Sequence, residues 1–313
     1  MKELIIASRK SKLAMWQSEH IKARLEALYP EMKVTINQYS TKGDRILDVP
    51  LAKIGGKGLF TKELEEAMLR GDAHIAVHSL KDVPTRFEEG FVLCAVTKRE
   101  DERDAMLSEK YESIDALPQG AIVGTTSLRR RMQLLKYRSD LVIKDLRGNV
   151  QTRIKKLKDG EYDAIILATA GINRLGIQNE TNYFTPISKE IMIPSMGQAA
   201  LGIECCENPE IIALLKPFND ERAVIETTIE RTFIDALDGG CQVPIGVNAE
   251  LNGDDVSINT VIGMPDGEQM IGQSITISKS EYEAIGTTLA NEMIEQGAKE
   301  ILAQAIEASP LLK

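Results

Sequence analysis

Asp82 stands beside Lys81 in the segment His78-Ser79-Leu80-Lys81-Asp82-Val83-Pro84, directly after the apolar run Ile75 to Val77. A carboxylate and an ammonium at the carboxyl end of a strand can transfer a proton or stabilise a cation. An exposed Lys-Asp turn is the alternative reading. His74 and His78 alternate with the apolar residues and read first as packed, hydrogen-bonded side chains. Arg129, Arg130 and Arg131 follow Thr125-Thr126-Ser127-Leu128 at the start of a helical pattern. Hydroxyls and free N–H groups at a helix N-terminus bind anions, and arginine adds charge and a bidentate fork for carboxylates. Arg147-Gly148-Asn149, with Arg153 one turn on, repeats the design. Such paired basic junctions point to an anionic ligand, although plain N-caps at Ser127 and Asn149 beside solvated arginines would give the same letters.

Cys241 lies in Leu237-Asp238-Gly239-Gly240-Cys241-Gln242-Val243-Pro244-Ile245-Gly246. Two preceding glycines and small neighbours leave room for a ligand at its sulfur; a turn cysteine without chemistry fits the local sequence equally well. Cys94, Cys205 and Cys206 sit in apolar runs, where cysteine is usually a small buried hydrophobe. Gly55-Gly56-Lys57-Gly58 lacks the spacing of a nucleotide phosphate loop and suits a lid whose Lys53 and Lys57 join an anion site on closing.

The elements that must position these residues alternate. A strand Leu4 to Ala7, a helix with Leu13, Trp16, Ile21, Leu25 and Leu28 ending at Pro30, a strand Val34 to Tyr39, a helix Thr61 to Leu69 and the strand Ile75 to Val77 give β-α-β-α-β order. The order returns with strand Ile122 to Gly124, helix Leu128 to Tyr137, strand Leu141 to Lys144, helix Val150 to Leu157 and strand Ala164 to Ala168. Both stretches predict mainly parallel sheets with ligands beyond the carboxyl strand ends. The last third differs: Ile245 to Leu251, Val256 to Ile262 and Ile271 to Ile277 alternate apolar and polar residues, with Asn252-Gly253 and Asp266-Gly267 as turns. The expected class is α/β, two domains with mainly parallel sheets plus a smaller α+β C-terminal domain with an antiparallel sheet.

Composition narrows the function. A 313-residue chain suits two or three domains, and 43% hydrophobic with 27% charged residues is ordinary for a globular protein. No apolar run has the length of a membrane span, and the N-terminus lacks a secretory cleavage pattern. A net charge of −9 argues against nucleic acid as partner. The four cysteines have neither metal nor disulfide spacing. These features predict a cytoplasmic protein with reduced thiols, no metal, and no nucleic-acid or membrane partner.

Ala7 to Ala14, Gly55 to Phe60, His78 to Pro84, Gly124 to Arg130, Leu146 to Arg153 and Leu237 to Gly246, in this order over essentially the whole chain, resemble the hydroxymethylbilane synthase (porphobilinogen deaminase) family. The resemblance implies two periplasmic-binding-protein-like domains, at 1–97 with 198–216 and at 98–197, and a third, cysteine-bearing domain at 217–313. It implies a transferase that deaminates porphobilinogen and joins four units head to tail for tetrapyrrole and heme biosynthesis. The primer is a dipyrromethane cofactor on Cys241, held by a thioether and retained when water releases the product. Asp82 is the implied catalytic group, protonating or stabilising substrate as ammonia leaves and then stabilising the cationic azafulvene-type electrophile. Cofactor contacts are implied for Lys81, Ser127, Arg129, Arg130, Arg147 and Asp44, and substrate contacts for Arg9, Ser11, Arg153, Gln198 and Lys57. A monomer is implied. One departure stands at Met196-Gly197-Gln198-Ala199-Ala200, where the family commonly has glycine at position 199. If that position needs a positive φ, alanine costs stability and Gln198 becomes a less certain contact.

Two rivals remain at this level. A cytosolic small-anion-binding protein of the two-domain periplasmic type shares the paired α/β pattern but has no need of a cysteine on a Gly-Gly loop. A cysteine hydrolase would need a histidine base, and all three histidines lie between His20 and His78.

Overall fold

The computed structural model describes residues 1–45, 60–240 and 243–308. The chain divides into two compact units, Met1–Glu100 with Ala200–Val224, and Asp101–Ala199 with Ile225–Lys313.

In the first unit, β1 (Glu3–Arg9), β2 (Lys33–Tyr39), β3 (Ile75–Ser79), β4 (Phe91–Val96) and β10 (Leu201–Cys206) form one sheet in the order β2-β1-β3-β10-β4. β1 pairs in parallel with β2 and β3, while β10 runs antiparallel to both β3 and β4. Strand β10 therefore fills the slot between β3 and β4, although it follows them by more than a hundred residues. Helix α1 (Lys12–Leu28) begins at Ser11, whose hydroxyl accepts from Ala14 N, and turns Ile21 and Leu25 onto the sheet. It stops short of Pro30, because the residue before proline avoids helical geometry. Helix α2 (Lys62–Leu69) buries Leu64, Ala67 and Met68.

The second unit repeats the scheme. β5 (Asp104–Ser108), β6 (Ile122–Gly124), β7 (Val142–Lys144), β8 (Ala164–Ala168) and β9 (Tyr183–Pro186) stand in the order β7-β6-β8-β5-β9. β6 is parallel to β7 and β8, and β5 is the reversed strand, antiparallel to β8 and β9. Helices α3 (Leu128–Tyr137), α4 (Val150–Lys158) and α5 (Thr169–Leu175) each follow a strand. Both sheets are thus mixed, four strands one way and one the other, which refines the mainly parallel expectation. Strands β5 and β8 are buried almost throughout, as expected where helices cover both faces.

The same unit carries a three-stranded antiparallel meander, β11 (Ile245–Asn252), β12 (Asp255–Gly263) and β13 (Met270–Ser278). Val256, Ile258 and Ile262 face Leu289, Met293, Ile301 and Leu302 of α8 (Tyr282–Glu295) and α9 (Ala298–Ala308). Helix α6 (Pro209–Leu215) belongs to the first unit, and α7 (Glu221–Ala236) passes from the first into the second before the Gly239-Gly240 loop. The β12–β13 turn rests on α3: Gly267, at φ +77, has its Cβ position only 2.6 Å from Lys136 N, so glycine is required there.

Candidate active site

Parallel pairing of β1 with β3 brings their carboxyl ends to one edge of the first sheet. Arg9 ends β1 and Ser11 caps α1; Ser79 ends β3 and leads into a 3-10 turn, Leu80–Asp82. Leu80 is wholly buried, its N–H donating to Ala200 O at 3.0 Å, and Val83 N closes the turn on Leu80 O at 3.1 Å. The buried leucine anchors the turn, so Lys81 and Asp82 are half-buried at the sheet edge rather than swinging on an exposed loop. Gln17 Nε2 donates to Ser79 Oγ at 2.8 Å and ties α1 to the same place. The Arg9 guanidinium lies 4.2 Å from the centre of the Phe60 ring, a cation–π contact that holds it at this edge.

Beneath this edge His78 Nε2 lies 2.9 Å from Glu204 Oε2, both side chains buried. His74 Nδ1 accepts from Ile5 N at 2.9 Å. Both histidines have the packed, hydrogen-bonded role. Glu65 is also buried nearby, and loss of hydration pushes its carboxyl above the ordinary value; Glu204 and Glu88 push it the same way, and Thr61 opposes.

In the second unit β6 and β7 are parallel neighbours, so the junctions leading to α3 and α4 share an edge. Thr126 Oγ1 donates to Leu146 O at 2.6 Å and clips one junction to the other. Ser127 and Asn149 are N-caps, accepting from Arg130 N at 3.4 Å and Thr152 N at 2.9 Å. Gly148 has φ +114 and its Cβ position lies 2.8 Å from the Thr152 side chain, so this turn admits no larger residue. Arg153 Nε donates to Gly148 O at 2.8 Å, which ties its side chain to the junction that carries the half-buried Arg147.

Arg129 and Arg130 are not a solvated face; they are 4% and 6% exposed. Arg129 Nη1 lies 2.7 Å from Asp104 Oδ2 and donates to Ile193 O at 2.7 Å. Arg130 reaches Asp104 Oδ1 through Nη2 at 2.7 Å and Nε at 3.0 Å, and donates to Ile166 O at 2.9 Å. Burial pulls the Arg129 guanidinium below its ordinary value, Asp104 pulls back, and Arg130 adds repulsion. Gln198 is fully buried, its amide on Glu102 O at 2.7 Å and Asp104 Oδ1 at 3.1 Å. Ala199 has φ +76, so the alanine does occupy a left-handed conformation, and its carbonyl accepts from Arg174 Nη2 at 2.5 Å.

Asp104, Arg174 and Glu230 belong to no motif that the sequence displays. Asp104 opens a short apolar strand, a charged residue at the entry to Ala105-Met106-Leu107, and that is the one local sign of its role. Glu230, buried on α7, accepts from Gly197 N at 2.6 Å and Ala249 N at 3.0 Å. Cys241, the loop Gly55-Gly56-Lys57-Gly58 and Lys53 lie outside the described residues, and Asp44 belongs to a short helical turn, Lys42–Arg45. Among the described residues no cluster of His, Cys, Asp and Glu could hold a metal ion.

A family model described as porphobilinogen deaminase, dipyromethane cofactor binding domain, matches residues 4–213, and one described as porphobilinogen deaminase, C-terminal domain, matches 224–295. Porphobilinogen deaminase of Aliarcobacter butzleri (strain RM4018) is 61% identical over 306 residues, 97% of this chain and 98% of that one. That of Sulfurimonas denitrificans is 60% identical over 306 residues, again 97% and 98% of the two chains. The Campylobacter curvus protein is 58% identical over 311 residues, 99% of this chain and 100% of its own. Basic strand-end junctions, a carboxylate on a buried turn and these matches agree, and the chain belongs to the porphobilinogen deaminase family.

Proposed function

We propose that this chain is a hydroxymethylbilane synthase acting on porphobilinogen with a dipyrromethane primer on Cys241. The observation that carries the reading is the buried pair Arg129–Arg130, which among the described residues is set against the carboxylate of Asp104, at the edge where Ser127, Arg147 and Arg153 stand. Two guanidiniums and one carboxylate leave a positive charge in excess, which a ligand carboxylate balances. The residues therefore fit a polycarboxylate group. When bound, that group supplies a fixed pyrrole end on which substrate units are joined.

The chain's own residues divide the work. Cys241 Sγ holds the primer, while Arg129, Arg130, Ser127, Arg147 and Lys81 hold its acetate and propionate groups and Asp44, a carboxylate, accepts from its pyrrole N–H groups. Arg9, Ser11, Arg153, Gln198 and Lys57 receive the carboxylates of incoming substrate. Gln198, fully buried, also bonds Asp104 and so couples this set to the buried arginine pair. Asp82 donates a proton from Oδ as ammonia departs and then, as carboxylate, balances the cationic carbon. In this reading Asp82 belongs to a domain of 1–97 with 198–216, the arginines to one of 98–197, and Cys241 to one of 217–313. The enzyme works as a cytoplasmic monomer.

Mass spectrometry tests the proposal. Purified protein is expected to exceed its sequence mass by two linked pyrrole units on Cys241, as a monomer under native conditions, and Cys241→Ser is expected to fold without the addition. Active protein of unmodified mass, or an adduct on Cys94, Cys205 or Cys206, refutes it.

A further inference from the structure

We infer that Asp104 is a positioning residue for this reaction, an inference that rests on the proposed role of Arg129 and Arg130. Its carboxylate is fully buried and touches the side chains of Arg129 at 2.7 Å, Arg130 at 2.7 and 3.0 Å, and Gln198 at 3.1 Å. Arginine has a long, mobile stem, and two guanidiniums on consecutive residues repel each other; a shared carboxylate fixes both forks in one geometry. Each fork spends further donors on backbone carbonyls, Arg129 on Ile193 and Arg130 on Ile166. The remaining donors are aimed by what Asp104 holds.

Gln198 extends the arrangement. It joins Asp104 to the segment Met196–Ala199, and Glu230 clamps that segment through Gly197 N at 2.6 Å. Glu230 lies on α7, which runs on to the Gly239-Gly240 loop before Cys241, and its other oxygen takes Ala249 N of β11 at 3.0 Å. Covalent attachment fixes one end of a primer and arginines fix its carboxylates, so the two must keep register to within a fraction of an ångström. The buried series Glu230, Gly197, Gln198, Asp104 supplies that register inside one unit. Asp104 also sets the charge: with it the cluster carries one surplus positive charge, without it two.

The test compares Asp104→Asn, Asp104→Glu and Arg129→Leu, reading the primed fraction by intact mass and KM and kcat on the primed chains. Asp104→Asn is expected to lower the primed fraction at least about fivefold. Asp104→Glu keeps the charge but displaces the carboxylate by a methylene; in the folded fraction KM is expected to rise about tenfold while kcat falls less than about threefold, because the guanidiniums hold carboxylates remote from the reacting carbon. If Asp104→Asn does not fold, Asp104→Glu decides alone. Wild-type primed fraction and KM in folded Asp104→Glu, with primer lost from Arg129→Leu, overturn the positioning role and leave the site reading intact. Full primer retention by Arg129→Leu overturns the site reading and this inference with it.

Discussion

Replacing Ala199 with glycine measures the strain stored at the left-handed residue. Alanine at φ +76 carries a Cβ–carbonyl clash of about 1–2 kcal/mol that glycine lacks. Glycine forfeits about 0.5–1 kcal/mol in chain entropy. It also loses one buried methyl, worth about 0.8 kcal/mol, since Ala199 is 6% exposed. The opposing terms nearly cancel, and Ala199→Gly is expected to change stability by less than about 1 kcal/mol. Ala164→Gly in β8 is the control: also buried and in the same unit, with no positive φ to relieve, it is expected to lose about 1.5 kcal/mol. The difference between the two isolates the backbone term at about 1–2 kcal/mol. Urea unfolding followed by far-ultraviolet circular dichroism reads both changes as midpoint shifts at constant slope. The single tryptophan, Trp16, sits in the other unit, and its fluorescence reports whether that unit is disturbed. Equal losses at 164 and 199 would refute the claim that the positive φ is strained.

Asp82→Asn keeps shape but cannot give up a carboxyl proton or balance a cation, and single-turnover ammonia release from primed enzyme is expected to fall about 10²- to 10⁴-fold, with Asp82→Glu losing less. A near-wild-type rate in primed Asp82→Asn moves the catalytic assignment elsewhere. Arg129→Leu is expected to stop at primer or first-substrate binding and Arg9→Leu at elongation, visible as different mass ladders after brief exposure to substrate; identical ladders contradict the division. Glu65 has its folded pKa raised chiefly by burial, so its contribution is fully present below its unfolded value and lost as pH rises through the folded one. Glu65→Gln is therefore expected to gain stability at neutral pH relative to pH 4, read by Trp16 fluorescence, and an unchanged pH profile counts against the assignment.

What the sequence makes legible is local. Ser127 and Asn149 are N-caps because a hydroxyl or amide ahead of a helical pattern has few other uses, and the βα junctions follow from strand and helix alternating within thirty or so residues. The meander was legible from alternation and its Asn-Gly and Asp-Gly turns. Asp104 was not, because its value comes from a reversed strand that meets Arg130 across 26 positions of sequence. The same holds for the burial of Arg129 and Arg130, which arginine-rich letters predict as solvated. Position 199 was partly legible: the resemblance to a family that commonly has glycine there raised the question of a positive φ, and only the backbone answers it.

The late arrival of β10 governs how the protein is made. A ribosome that has delivered residues 1–100 has released β1 to β4, with the slot between β3 and β4 still waiting for Leu201–Cys206. Both flanking strands then offer unpaired N–H and C=O groups to any passing chain. At about 5–20 residues per second, the interval before β10 emerges is about 5–20 s. Closing it requires contacts such as His78 with Gly202, of high contact order, after the intervening unit has been synthesised. Nascent chains stalled between these points are consequently the ones most exposed to aggregation and most dependent on chaperones, whereas a circular permutant placing 200–224 ahead of residue 101 would complete the first sheet before the second begins.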